Sequence, residues 1–377
     1  MFIGRTIQSA IEPKFFCGKA ILIMGARQTG KTTLIKSICR NRDDVLWLNG
    51  DEPDVRAIFS DITSTRLNAI IGKKKLIVID EAQRIKDIGL IIKLITDQIT
   101  DVQVIASGSS SFELANKVNE PLTGRKWEYK LFPLSFEELA AANGLMNEKR
   151  LLPHRLIYGG YPEVASKPGI ERELLLELTD SYLFKDILTL EQIKKPDKLV
   201  LLLQALAYQV GSQVSYTEVG QKCGLDNKTV ERYITLMEQA YVIFRLGSFS
   251  RNLRNELTSS KKIYFVDNGI RNALIANFSQ LENRPDVGAL WENYLISERI
   301  KFLRNNGIWA NFWFWRTAQQ NEIDYVEESD GKLNAYEFKW NPKAKSKLPK
   351  PFAEAYPNAG FTTIHRDNAE EFLQFRS

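Results

Sequence analysis

The octapeptide Gly25-Ala-Arg-Gln-Thr-Gly30-Lys31-Thr32 constrains this 377-residue chain more than any other feature. It follows an apolar run, Ala20–Met24, and opens the amphipathic stretch Thr32–Cys39. Glycines at its first and sixth positions let the backbone turn where side chains forbid it and come close to an anion. The loop amides then form a nest at the positive end of a helix. A lysine at the seventh position reaches the β- and γ-phosphates of a nucleotide, and a hydroxyl at the eighth binds Mg²⁺. The expected ligand is ATP with Mg²⁺. The expected contacts are Gly25, Ala26, Arg27, Gln28, Thr29, Gly30, Lys31, Thr32 and Thr33.

A second motif fits the first. Leu76-Ile-Val-Ile-Asp80-Glu81 is an apolar strand ending in two carboxylates. Asp80 is placed to hold Mg²⁺ and Glu81 to polarise the attacking water; the bland reading is two solvated turn residues. A later strand ends in Ala106-Ser107-Gly108-Ser109-Ser110. There Ser109 either senses the γ-phosphate or belongs to a helix cap. Arg125 is either an arginine finger or a surface charge.

Ala20–Met24, Val45–Asn49, Lys75–Asp80 and Val102–Ala106 read as strands buried on both faces, with helical crossovers. That pattern predicts an α/β fold with a parallel sheet. Helical periodicity dominates from about Phe136 to Leu206. Next come helices at Thr217–Gly224 and Asn227–Gln239, with Asn227 as N-cap, and strands at Tyr241–Leu246 and Lys262–Val266 joined by a basic loop. This is a winged-helix pattern. An amphipathic helix, Trp291–Leu303, and strands at Trp313–Arg316, Ile323–Val326 and Leu333–Trp340 follow.

The net charge of +5 excludes a general cationic coat, so any nucleic-acid surface must be local. Three cysteines without a CxxC pair exclude a disulfide framework and a zinc cluster. Two histidines, His154 and His365, disfavour histidine-based metal or triad chemistry. With no apolar run of membrane-spanning length and no secretory signal pattern, the expectation is a cytoplasmic protein with no membrane partner.

These motifs occur in order with Leu122-Thr-Gly-Arg125, Phe132-Pro-Leu-Ser-Phe-Glu-Glu138, Gly159-Gly-Tyr-Pro162, Trp315-Arg316, Glu322-Ile-Asp324 and Glu337-Phe-Lys339. The chain resembles the prokaryotic AAA-type ATPases that carry a C-terminal DUF4143 region. The resemblance implies a P-loop ATPase core at 1–135, a helical lid at 136–206, a winged helix at 207–283 and a restriction-endonuclease-like domain at 284–377. Gly160-Tyr161-Pro162 is similar to an element that places a proline near adenine, which makes Pro162 a candidate contact; a tight turn before a helix explains the same residues.

Spacing speaks separately about the last domain. Asp330-Gly331 is a two-residue hairpin signal. If those residues form the turn, Asp324 faces Glu337 and Glu322 faces Lys339, with all four side chains on one face. Tyr336, Phe338 and Trp340 then line the other face as core. Directly opposed carboxylates destabilise a hairpin, so a divalent cation such as Mg²⁺ is expected at Asp324 and Glu337, with Glu292 as a further carboxylate. Asp324…Glu337-x-Lys339 is also similar to the PD-(D/E)xK nuclease pattern, in which the lysine orients or activates water. A plain cross-strand ion pair, or Lys339 neutralising both acids, explains the same residues without metal.

Lys228 and Arg232 on the second helix, Arg251, Arg254, Lys261 and Lys262 in the wing, and Lys343, Lys345, Lys347 and Lys350 near the end are the candidate phosphate contacts for DNA. The aromatic run Phe312-Trp313-Phe314-Trp315 reads as strand core rather than a base-stacking surface. Two functions lead, and a small-molecule kinase, which would share the phosphate loop, is less attractive given the large helical and wing regions. One is an ATPase whose nucleotide state controls the winged helix and nuclease-like domain on DNA. The other is a nucleotide-dependent switch that binds a protein partner, or a second copy of itself, with an inert C-terminal domain.

Overall fold

Short apolar strands that cannot face water on either side stack into a parallel sheet covered by helices. The computed structural model describes residues 2–60, 62–109, 121–180, 193, 195–250, 261–317 and 319–373. They divide into two compact units, Gly4–Pro133 with Gln239–Tyr241, and Met1–Ile3 with Leu134–Glu238 and Val242–Ser377. Among the described residues no helix is long and apolar enough to cross a membrane.

The unit around Gly4–Pro133 holds strands β1 (Ala20–Met24), β2 (Val45–Asn49), β3 (Leu76–Asp80), β4 (Gln103–Gly108) and β5 (Lys126–Lys130). They form a sheet in the order β2-β3-β4-β1-β5, parallel throughout. β1, β3 and β4 are buried along their whole length. The connection from β1 passes over β4 and β3 to reach β2, whereas β5 lies on the other side of β1. Such a reversal leaves a crevice outside the carboxyl ends of the strands, where open α/β sheets bind ligands. The loop Gly25–Gly30 leaves β1 at that point and enters helix α1 (Lys31–Ile38).

β5 was not expected from sequence. Lys126-Trp-Glu-Tyr-Lys130 is half exposed and, among the described residues, pairs only with β1. An edge strand with alternating charge lacks the continuous apolar signature of its buried neighbours.

In the other unit, α2 (Pro196–Tyr208), the two-residue strand β6 (Gln213–Val214), α3 (Tyr216–Cys223), α4 (Asn227–Gln239), β7 (Ile243–Gly247) and β8 (Lys261–Phe265) follow one another. β6, β8 and β7 make a small antiparallel sheet. α3 ends at Gly224, which adopts the left-handed conformation that glycine accepts without cost. The cap of α4 is Asp226 rather than Asn227. Its carboxylate accepts from the Thr229 amide at 2.9 Å and from the Thr229 hydroxyl at 2.6 Å, whereas the Asn227 amide donates to Thr217. Arg251 and Arg254 of the expected wing lie outside the described residues.

The chain then runs through α5 (Asn268–Leu274), α6 (Val287–Asn305), β9 (Asn311–Arg316), β10 (Glu322–Ser329), β11 (Lys332–Phe338), α7 (Lys350–Ala355), β12 (Gly360–Ile364) and α8 (Ala369–Leu373). The sheet order is β12-β11-β10-β9, with β12 parallel to β11 and the other pairs antiparallel. α6 is longer than expected and buried nearly all round, so the amphipathic stripe read in Trp291–Leu303 is not its organising feature. Several buried polar groups on α6 are paired, as in the two-pronged contact of Arg299 with Glu327 at 2.9 and 2.7 Å, whereas the side-chain amide of Asn305 and the indole nitrogen of Trp291 are buried without a hydrogen bond among the described residues. In the run from Phe312 to Trp315, Phe314 and Trp315 are buried, and Trp315 packs on Phe352.

Candidate functional site

The phosphate-binding loop is shaped by what surrounds it. A side chain at Gly25 would collide with the Leu131 carbonyl, so the first glycine is demanded by the segment leaving β5. Gly30 has φ +92°, a left-handed turn that launches α1. Arg5 is buried and its guanidinium donates to the Thr29 carbonyl at 3.0 Å and to the Phe132 carbonyl. The Thr29 hydroxyl donates to the Ala26 carbonyl at 2.8 Å. Sequence reasoning missed Arg5, because it lies far from the motif along the chain.

Lys31 is buried, and its ammonium donates to the Gly25 carbonyl at 2.9 Å and the Ala26 carbonyl at 2.8 Å. A charge held by two carbonyls is ready to exchange them for phosphate oxygens, which are stronger acceptors. The Thr32 hydroxyl donates to Asp80 Oδ2 at 2.8 Å. Asp80 Oδ1 accepts from the Ser107 hydroxyl and from the Glu81 amide. The structure therefore brings Lys31, Thr32 and Asp80 together, and adds Ser107 from β4.

Glu81 sits in the left-handed region at φ 50°, ψ 41°, a conformation that costs a non-glycine residue about 1 kcal/mol or more. Its carboxylate accepts from the Gln83 amide at 2.6 Å, and the same amide nitrogen donates to the Ser109 hydroxyl at 3.0 Å. Gln83 is 3% exposed. It links the expected water-activating acid to the expected γ-phosphate sensor, and it was missed because it falls in a short turn after the strand, where no periodicity marks it. Gln83→Ala is expected to lower kcat for ATP about tenfold while leaving the Kd for ATP within about threefold, because it removes a positioning contact and no phosphate contact. Parallel turnover and binding measurements check this, and an unchanged kcat rejects the role.

Arg125 is not brought to this site. It immediately precedes β5, and its amide-flanking carbonyl accepts from Ala20 at the start of β1. In a parallel sheet that is the edge opposite the phosphate loop, a whole strand away. Its guanidinium pairs with Asp97 at 2.7 Å. A contact between Arg125 and the phosphate loop of its own chain is thereby excluded. Arg27 and Gln28 lie within the loop and Thr33 just after it. Pro162 opens the helix Pro162–Ser166 in the other unit. The glycines before it have a local reason: Gly160 donates its amide to buried Asp267, and a side chain at Gly159 would strike that carboxylate.

Mg²⁺ fits the first site by donor chemistry. Thr32 and Asp80 offer hard oxygens, and Mg²⁺ in nucleotide sites needs few protein ligands besides phosphates and water.

The second candidate site is different. Asp330 (φ 50°) and Gly331 (φ 75°) form the hairpin turn, and Ser329 faces Lys332 while Tyr325 faces Tyr336. This is the register expected from the turn residues. Asp324 Oδ2 accepts from the Phe338 amide at 2.8 Å, and Glu337 pairs with Lys339 at 2.7 Å. The principal partner of the remaining acids is Lys262 of β8. It is 2% exposed, with its ammonium 3.1 Å from Glu292 and 2.5 Å from Glu322. Tyr264 also donates to Glu292, and Arg316 lies 3.4 Å from Glu322.

Burial and the nearby Glu292 and Glu337 carboxylates push Asp324 well above the usual carboxylate range. Burial opposes the charge on Lys262, yet Glu292 and Glu322 keep its pKa above the ordinary lysine value. Among the described residues, no three His, Cys, Asp or Glu side chains are arranged to hold a metal ion. The expected Mg²⁺ at Asp324 and Glu337 thus does not fit this arrangement, because protein cations and an amide already supply the compensating contacts. Lys262 is also lost as a DNA contact, being buried. Lys228 and Arg232 on α4, Lys343, Lys345 and Lys347 between β11 and α7, and Lys350 at the start of α7 are exposed.

Comparison with known proteins agrees with this architecture. The model of an AAA domain matches residues 18–140, that of a domain of unknown function, DUF8612, matches 149–281, and that of another, DUF4143, matches 287–374. An uncharacterized protein of Mycobacterium tuberculosis is 26% identical over 328 residues, covering 85% of this chain and 70% of that one. An uncharacterized protein of Methanocaldococcus jannaschii is 23% identical over 411 residues, covering 98% and 90%. The solved structure of a Walker-type ATPase of Pyrococcus abyssi is similar in fold, with a TM-score of 0.52 and 13% identity, covering 73% of this chain and 96% of that one. The chain carries an AAA-type P-loop core and a DUF4143 domain.

Proposed function

We propose that this chain binds ATP with Mg²⁺ in the loop Gly25–Thr32 and hydrolyses it, and that the nucleotide state governs its action on DNA. The observation that carries the first part is the bond from Thr32 to Asp80 beside the Glu81–Gln83–Ser109 chain. Thr32 and Asp80 would hold Mg²⁺, which offsets charge on the phosphate oxygens when bound. The loop amides and Lys31 orient the triphosphate. Glu81 accepts the proton of the attacking water, and Gln83 holds its carboxylate in place while keeping Ser109 beside it.

The helix pair α3–α4 followed by the β7–β8 ribbon supports a winged-helix reading, with Lys228 and Arg232 exposed for phosphates. The lysines at 343, 345, 347 and 350 form a second exposed basic run. ATP turnover measured alone and with single-stranded DNA, duplex DNA and RNA tests the proposal. Acceleration by DNA that weakens with salt is expected. Equal turnover with and without every nucleic acid removes DNA from the proposal and leaves the ATPase.

A second reading has a specific observation in its favour. The Lys262 contacts support a C-terminal domain that retains a nuclease-like carboxylate pattern without cleaving, so that ATP instead controls a protein partner. A partner retained with ATP, lost with ADP and indifferent to Asp324→Ala would support this switch over the DNA-processing reading.

A further inference from the structure

We propose that Lys262 is itself the principal cation for Glu292 and Glu322 in the carboxylate set they form with Asp324 and Glu337, and that its insertion keeps the set from taking a divalent ion. Facing carboxylates on one sheet surface need positive charge. β8 delivers an ammonium group into the protein interior, where a charge persists only with partners. Its contacts are 3.1 Å to Glu292 and 2.5 Å to Glu322, and it lies over the Phe314 ring at 5.4 Å from the centroid. Lys339 engages Glu337, and the Phe338 amide engages Asp324. A divalent ion that drew on Glu292 and Glu322 besides Asp324 would need their oxygens at about 2.0–2.1 Å for Mg²⁺, so such an ion and the ammonium exclude each other. β8 belongs to the sheet β6-β8-β7, whereas Glu322, Asp324 and Glu337 lie on β10 and β11. Cation binding at the carboxylates is therefore tied to the seating of a strand from a different sheet.

The test is Mn²⁺ titration of the nucleotide-free full chain, followed by electron paramagnetic resonance. The wild type is expected to show no bound Mn²⁺ that Asp324→Asn removes. Lys262→Met keeps the stem and deletes the charge; it is expected to bind one Mn²⁺ at least about tenfold more tightly than the wild type, and to lose that gain when Glu322→Gln is added. A folded Lys262→Met chain with no gain overturns the proposal. So does Mn²⁺ binding by the wild type that Asp324→Asn abolishes, a measurement that decides even if Lys262→Met does not fold. Neither result depends on ATP hydrolysis.

Discussion

Glu81→Gln is expected to lower ATP turnover about 10²–10³-fold, the usual range for losing a positioned general base, while ATP binding changes by less than about threefold. The substitution is nearly isosteric. The contact from the Gln83 amide to Glu81 Oε2 survives, because the new side chain still offers a carbonyl oxygen there. The left-handed backbone at residue 81 is also unchanged in its demands. What disappears is the ability to take a proton from water. The variant should therefore hold ATP as a long-lived complex, seen as unhydrolysed nucleotide after rapid gel filtration. Normal turnover would mean that another group activates the water.

Lys31→Ala has the second large effect, this time on binding. Two charge-assisted contacts to phosphate are each worth about 1.5–3 kcal/mol, so the Kd for ATP should rise at least about 100-fold. The ammonium also holds the loop, through the carbonyls of Gly25 and Ala26. Its removal takes that donor from the Gly25 oxygen, at about 1–3 kcal/mol if water does not replace it, whereas the Ala26 oxygen keeps the Thr29 hydroxyl. Thermal unfolding measured alongside ATP titration separates the two. A lowered Tm with unchanged affinity would leave Lys31 as a loop support and contradict its role on phosphate.

The parts of this molecule that sequence made legible are those whose determinants are adjacent. The loop from Gly25 to Thr32 carries its own glycines, lysine and hydroxyl, and it stands between an apolar strand and a helix. The hairpin register follows from Asp330-Gly331, since both residues take positive φ and fix which side chains oppose. The illegible parts depend on distant segments. Lys262 reads as one more charge in a basic loop until the fold sets it against Glu292 and Glu322, on two other elements. Arg125 reads equally as a finger or a surface charge until the parallel sheet puts it at the amino ends of the strands. Gln83 has no periodic signal, and its importance is visible only as two bonds from one amide.

A crystal structure of the chain with a non-hydrolysable ATP analogue and Mg²⁺ tests the central claim most directly. The expected result places the β- and γ-phosphate oxygens within about 3 Å of the loop amides, with the Lys31 ammonium moved from the Gly25 and Ala26 carbonyls onto phosphate. An analogue bound elsewhere, or a loop that keeps Lys31 on its own carbonyls at saturating analogue, would contradict it.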